Sequence, residues 1–130
     1  MPDDHIAGLA TSQDGFGDVE ARIVAESLVV DVDGFEGPLD LLLTLSRTQK
    51  VDLRKISILE LAEQYLGFVE EAKRLRIELA ADYLVMAAWL AFLKSRLLLP
   101  VDPNDDGPSG EEMAAHLAFQ LERLEAMRRS

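Results

Sequence analysis

The sequence predicts an all-α protein. It should have a small N-terminal helical domain of three main helices with a short strand near residues 27–32, followed by a linker and one further amphipathic helix. Three observations carry this. Residues 79–99, LAADYLVMAAWLAFLKSRLLL, are apolar on nearly every side, interrupted only by Asp82, Lys94, Ser95 and Arg96. Two S-x-x-E patterns, Ser57/Glu60 and Ser109/Glu112, each stand just ahead of apolar residues spaced three and four apart, the mark of a capped helix start. Pro38 opens a leucine-rich run and suits the first position of a helix, where its missing N–H leaves nothing unsatisfied.

Taken in order, residues 1–25 are acidic and poor in large apolar groups, so they read as a disordered leader. Residues 27–33, SLVVDVD, are β-branched enough to predict one strand. Gly34 and Gly37 punctuate the chain before a helix from Pro38 to about Thr48. In it Leu39, Leu42 and Leu43 share a face that Leu41 and Leu45 widen. Residues 51–56 connect to a second helix, in which Ile58, Leu61, Ala62, Tyr65, Val69 and Ala72 lie on one face. Its end carries Lys73, Arg74 and Arg76, cations that complement the helix dipole. The apolar segment 79–99 is the third helix, ended by Pro100.

Residues 101–110, VDPNDDGPSG, form a linker, and nothing in it obviously ties the next helix to the first three. Met113, Leu117, Leu121 and Leu124 then make a narrow stripe reaching about Arg128. The stripe is still running at Ser130, so 111–130 reads as the truncated start of a longer region. The expected layout is thus a leader at 1–25, a helical domain at 26–100, a linker at 101–110 and a further helix at 111–130.

Composition narrows the function classes. The chain has no cysteine, which excludes disulfides, thiolate metal sites and a cysteine nucleophile. Its acidic start lacks the basic and apolar regions of a secretory signal. The longest uncharged stretch of the apolar segment, Tyr83 to Leu93, is 11 residues. About 20 are needed to span a bilayer, so the expectation is a soluble, cytoplasmic protein with no membrane contact. The net charge of −11 is uneven: residues 1–37 carry nine acids and one base, 38–99 eight acids and nine bases, and 100–130 seven acids and three bases. A net acidic chain repels phosphate, so any link to DNA should run through a partner.

The third helix divides into faces. Leu79, Tyr83, Met86, Leu90, Leu93 and Leu97 fall in one stripe and are assigned to the domain's own core. Ala80, Ala81, Ala87, Ala88 and Ala91 make a shallow side, and Val85, Trp89 and Phe92 a second ridge continued by Arg96. Two short helices can cover one stripe but not three, so the remaining surface is expected to meet foreign helices. A helix of 21 residues spans about 30 Å, several turns of a partner coiled coil.

Catalytic chemistry finds little support. His5 lies in the leader. His116 has Glu112 one turn away, but no third or fourth ligand completes a metal site. Neither G-x-x-x-x-G-K-S/T nor G-x-G-x-x-G occurs, so no phosphate cradle is expected, and no cofactor or small-molecule substrate. Glu70 and Glu71 beside Lys73 and Arg74 read as surface ion pairs. Lys94 and Arg96 compensate a helix C-terminus, and Arg96 is available to an acid on the partner.

Three blocks then resemble a known family. Phe35-Glu-Gly-Pro-Leu-Asp-Leu-Leu-Leu43 resembles the signature near the start of bacterial kleisins. Ile58, Glu60, Gln64, Tyr65 and Leu66 resemble its I-x-E-x-x-x-Q-Y-L element. Glu78 to Pro100 resembles its LA-x-x-F/Y-L-V-M-A-A…K-S-R-x-L-L-P block. The blocks cover residues 35–100 in the family's order and spacing. The resemblance implies a non-enzymatic subunit that bridges the heads of an SMC ATPase dimer for chromosome condensation and segregation at the nucleoid. Its N-terminal helical domain would bind the neck, the coiled coil next to one head, its middle region a ScpB dimer, and a C-terminal winged helix, not in this chain, the other head. The resemblance makes the third helix the neck-binding element. Helical geometry selects its face: Ala81, Val85, Ala88, Trp89, Phe92, Arg96 and Leu99. Leu117, Leu121 and Leu124 are the expected ScpB contacts, against packing back on the first domain. The alternatives are a generic helical adaptor and a small helical homodimeric enzyme with an intersubunit acid/base site built from Arg54, Glu63 and Arg76.

Overall fold

The computed structural model describes residues 12–30, 32–100 and 102–129. Among them there are five α-helices and no strand: α1 (Ser12–Val30), α2 (Pro38–Arg47), α3 (Ile58–Arg74), α4 (Ala81–Leu98) and α5 (Gly110–Arg129), with 3-10 turns at Val32–Gly34 and Leu53–Lys55. No helix among these residues is long and apolar enough to cross a membrane.

The expected strand at 27–32 is corrected: residues 27–30 form the last turn of α1 and Val32 opens a 3-10 turn. A lone strand in a chain with no other strand to pair with leaves its backbone N–H and C=O groups unbonded, whereas a helix satisfies them internally. The expected leader is corrected in the same way from Ser12 onward, and residues 1–11, with His5, lie outside the described residues. The run from Val19 to Glu26 is rich in Ala, Glu and Arg and favours the helix. Leu28 and Val29 anchor its end in the core, and Glu26 stands 3.9 Å from Arg74 of α3.

α2 starts where the sequence places it, with Pro38 at the first helical position. The Asp40 carboxylate reaches back to accept from the Glu36 N–H at 2.9 Å. Leu41, Leu42, Leu43 and Leu45 are buried. The connector to α3 is closed by Gln49, whose side chain accepts from the Ser57 N–H at 2.8 Å and donates to the Ser57 C=O at 3.0 Å. Ser57 caps α3 as its pattern predicts, its hydroxyl accepting from the Glu60 N–H at 3.1 Å. Gln49, rather than Glu60, occupies the Ser57 N–H.

In α3 the predicted face of Ile58, Leu61, Ala62, Tyr65, Val69 and Ala72 is buried, joined by Phe68. The helix ends in a Schellman motif: Arg76 N–H donates to the Lys73 C=O at 3.1 Å and Ile77 N–H to the Ala72 C=O at 2.9 Å. The residue in the left-handed region is Arg76, at φ 58°, where glycine is the usual choice. α3 is fixed to α4 by the buried Tyr65 hydroxyl, which donates to the Tyr83 C=O at 2.9 Å. Burial pushes that phenol's pKa far up, so it stays a donor throughout the accessible pH range.

α5 corrects two expectations. The linker ties it firmly to the rest of the chain, and it is a wall of the same core rather than a separate helix. Ser109 caps it, accepting from the Glu112 N–H at 3.0 Å. A Cβ on Gly110 would stand 2.8 Å from the Leu97 backbone nitrogen and 2.9 Å from the Arg96 carbonyl carbon, so only glycine lets α5 start this close to α4. Met113, Leu117 and Leu121 are buried against the other helices. At the far end Arg128 hydrogen-bonds Asp40, 88 residues away, and lies 3.4 Å from Glu36.

Two outcomes follow. Leu117→Ala leaves a cavity in a fully buried site and lowers unfolding stability by about 2–5 kcal/mol in urea titration; a change within about 0.5 kcal/mol contradicts the placement of α5 in the core. The Arg128 guanidinium and the Glu36 N–H hold the Asp40 carboxyl below the usual carboxylate range, against an opposing effect of burial. A depressed folded value means that the bond's stabilisation is present in full above the unfolded pKa, about 4, and is lost as pH falls through the folded value. The stability gap between wild type and Asp40→Asn, measured from neutral pH downward, is therefore constant until about pH 5 and shrinks below about pH 4. A gap that ignores pH contradicts the clasp.

Candidate functional site

α4 presents two unlike sides. The inner side follows the predicted stripe: Tyr83, Leu90 and Leu93 are buried, and Leu79, Met86 and Leu97 pack partly against the core. The rings of Phe68 and Tyr83 lie 6.3 Å apart and continue a row of tilted rings that begins with Tyr65. The outer side carries Ala81, Leu84, Val85, Ala88, Ala91, Phe92, Ser95, Leu98 and Leu99, all exposed and none of them charged. Its large apolar members are between 48% and 69% exposed. The helix keeps this side bare because its few polar groups are drawn to the flanks. Lys94 pairs with Glu63 of α3 at 3.7 Å. Arg96 is taken by the linker, where it pairs with Asp105 and donates to the Pro108 C=O at 3.1 and 2.8 Å.

The predicted neck-binding residues therefore do not stand alike. Ala81, Val85, Ala88, Phe92 and Leu99 are exposed. Trp89 is half-buried against the core. Arg96, expected to be free for a partner's acid, is corrected: Asp105 already neutralises it, and the pairing together with the Gly107 N–H holds the Asp105 carboxyl low. The Arg96 guanidinium also lies 5.3 Å from the centre of the Phe92 ring, which fixes that edge of the face. Sequence reasoning missed Leu84, Ser95 and Leu98, and it placed Ala91 on the shallow partner-facing side without counting it among the neck-binding residues. The available signal was the core stripe itself. The exposed face lies directly opposite it, whereas the predicted face was turned toward Trp89 and Arg96, the flank that α5 and the linker cover.

The expected ScpB contacts are corrected as a surface. Leu117 and Leu121 are completely buried in the chain's own core and Leu124 packs partly against it. The outer side of α5 shows Phe119 and Met127 instead.

The residues weighed for catalysis do not converge. Arg54 lines a cleft between the 3-10 turn and the end of α5, while Glu63 lines a groove between α1 and α3. Arg76 ends α3. His116 is exposed on α5. Among the described residues no group of three or more histidine, aspartate or glutamate side chains is placed to hold a metal ion.

Against known proteins, the family described as segregation and condensation protein ScpA matches residues 45–126. Segregation and condensation protein A of Xylella fastidiosa (strain 9a5c) is 44% identical over 108 residues, 83% of this chain and 36% of that protein. The protein of the same name from Coxiella burnetii (strain RSA 493 / Nine Mile phase I) is 44% identical over 108 residues, 83% of this chain and 40% of that protein. The one from Bacillus cytotoxicus is 46% identical over 81 residues, 62% of this chain and 33% of that protein. The chain thus spans little more than a third of the length of the curated relatives it matches.

Proposed function

The chain belongs to the segregation and condensation protein ScpA family, and on that premise we propose that it is a non-enzymatic kleisin subunit of a bacterial chromosome-condensing complex. It binds the neck coiled coil of an SMC ATPase through the outer side of α4. The protein works in the cytoplasm, at the nucleoid. It touches DNA only through the complex, since its net charge of −11 opposes direct phosphate contact.

One observation carries the reading. The outer side of α4 is an uncharged apolar strip along a helix of 18 residues, about 27 Å long, and none of the other described residues covers it. Its alanines and Ser95 let a second helix come close, and Leu84, Phe92 and Leu98 supply the interlocking bulk. A coiled coil offers a matching strip of the same length. ScpB is the second expected partner. Engaging it through Leu117 and Leu121 requires α5 to leave the core, so the exposed Phe119 side of α5 is the surface open to it in the folded chain.

Val85 and Phe92 are exposed and hold no core contact that the fold depends on. Val85→Asp with Phe92→Asp keeps the urea midpoint of the wild type and loses binding to an SMC head-plus-neck fragment by about a hundredfold or more, as expected for charges placed at the centre of an apolar interface. Wild-type affinity in the double variant contradicts the assignment of this face.

A further inference from the structure

Beside the apolar strip lies a cleft that the strip does not explain. It has a volume of about 400 Å³ and runs between α4 and α5, lined by Asp82, Val85, Met86, Trp89, His116 and Gln120. Its α4 wall is apolar apart from Asp82, made by a valine, a thioether and an indole, while α5 lines the opposite side with His116 and Gln120. One end carries a carboxylate. That carboxylate has no cationic partner among the described residues. Its one hydrogen bond there comes from the neighbouring Tyr83 N–H at 3.0 Å. The corner around it is acidic. Asp82, Asp40 and Asp33 all act on the buried Tyr83 hydroxyl and, after burial itself, push its pKa up. Among the described residues, Asp40 is the one of these acids that a cation answers, Arg128. Val85 belongs both to the cleft and to the exposed strip, so the two surfaces are continuous.

A slot with an apolar wall and an unanswered carboxylate suits a side chain with an apolar stem and a cationic head. Resting on the reading of α4 as the coiled-coil face, we propose that this cleft receives one long basic side chain, a lysine or arginine, from the partner helix lying along α4. The methylene stem lies against Val85 and Met86, the cationic head passes the Trp89 ring and pairs with Asp82, and the pairing fixes the register of the partner helix. The apolar strip alone permits several registers, because its alanines recur at similar spacing; a single charged anchor permits one.

The test compares wild type with Asp82→Asn in calorimetric titrations against an SMC head-plus-neck fragment at low and high ionic strength. Asparagine keeps the acceptor for the Tyr83 N–H, and circular dichroism and the urea midpoint verify that the fold is unchanged. The expected result is roughly fivefold weaker binding by the variant at low salt, with the difference shrinking at high salt. Equal affinity and equal salt dependence for the two proteins overturn the cleft assignment and leave the α4 face standing. Absence of binding by the wild type overturns the α4 reading and the cleft with it.

Discussion

A helix that is apolar all round has to be covered on one side by its own chain before its other side can be of use. The fold is organised around that constraint. α3 supplies the main cover for α4, and the link is specific: the Tyr65 hydroxyl reaches the backbone of the first turn of α4, while Phe68 lies between the rings of Tyr65 and Tyr83. α5 closes the remaining inner side and can do so only because Gly110 lets its first turn touch the α4 backbone. Packing on the inner side fixes the rotation of α4 about its axis, and that rotation decides which residues face outward.

The polar groups serve the same arrangement. Lys94 is drawn down to Glu63, Arg96 is folded back onto the linker, and Arg128 clasps Asp40 and Glu36 at the start of α2. Several of these pairs are exposed and individually weak. Their effect is on placement, since each cation is held at an edge and none stands on the outer face of α4. The result is an uncharged strip on a chain whose net charge is −11, flanked by an acidic corner at Asp82. This contrast between strip and flank favours a helical partner of apolar seam and basic margin over self-association.

What was legible in the sequence was whatever local spacing dictates. Pro38, the serine caps at Ser57 and Ser109, the buried face of α3 and the inner stripe of α4 all follow from residues within a few positions of one another. The segment 27–30 misled because its β-branched residues suit a strand, and the lack of a partner strand among the described residues decides for the helix. The docking of α5 was not legible because its determinants are distant in sequence. Arg128 meets Asp40, and Gly110 meets the backbone at Arg96 and Leu97. For the same reason Leu117 and Leu121 read as a free seam and Arg96 as a free cation. The outward face was half legible: Val85, Ala88, Ala91 and Phe92 follow from helical spacing, while Leu84 and Leu98 lie on the side directly opposite the core stripe, away from the flank that α5 and the linker cover.

The central claim is that the outer side of α4, with the cleft that adjoins it, lies against an SMC coiled coil, and that the exposed side of α3 does not. The chain has no cysteine, so single cysteines report position without background. Ala88→Cys at the centre of the outer side and Glu70→Cys on the exposed side of α3 can each be reacted with a short thiol-specific crosslinker in the presence of SMC carrying cysteines along its neck. The account predicts a covalent product with Ala88→Cys at neck positions beside the head and none with Glu70→Cys. Crosslinking through Glu70→Cys, with Ala88→Cys unreacted, would contradict it.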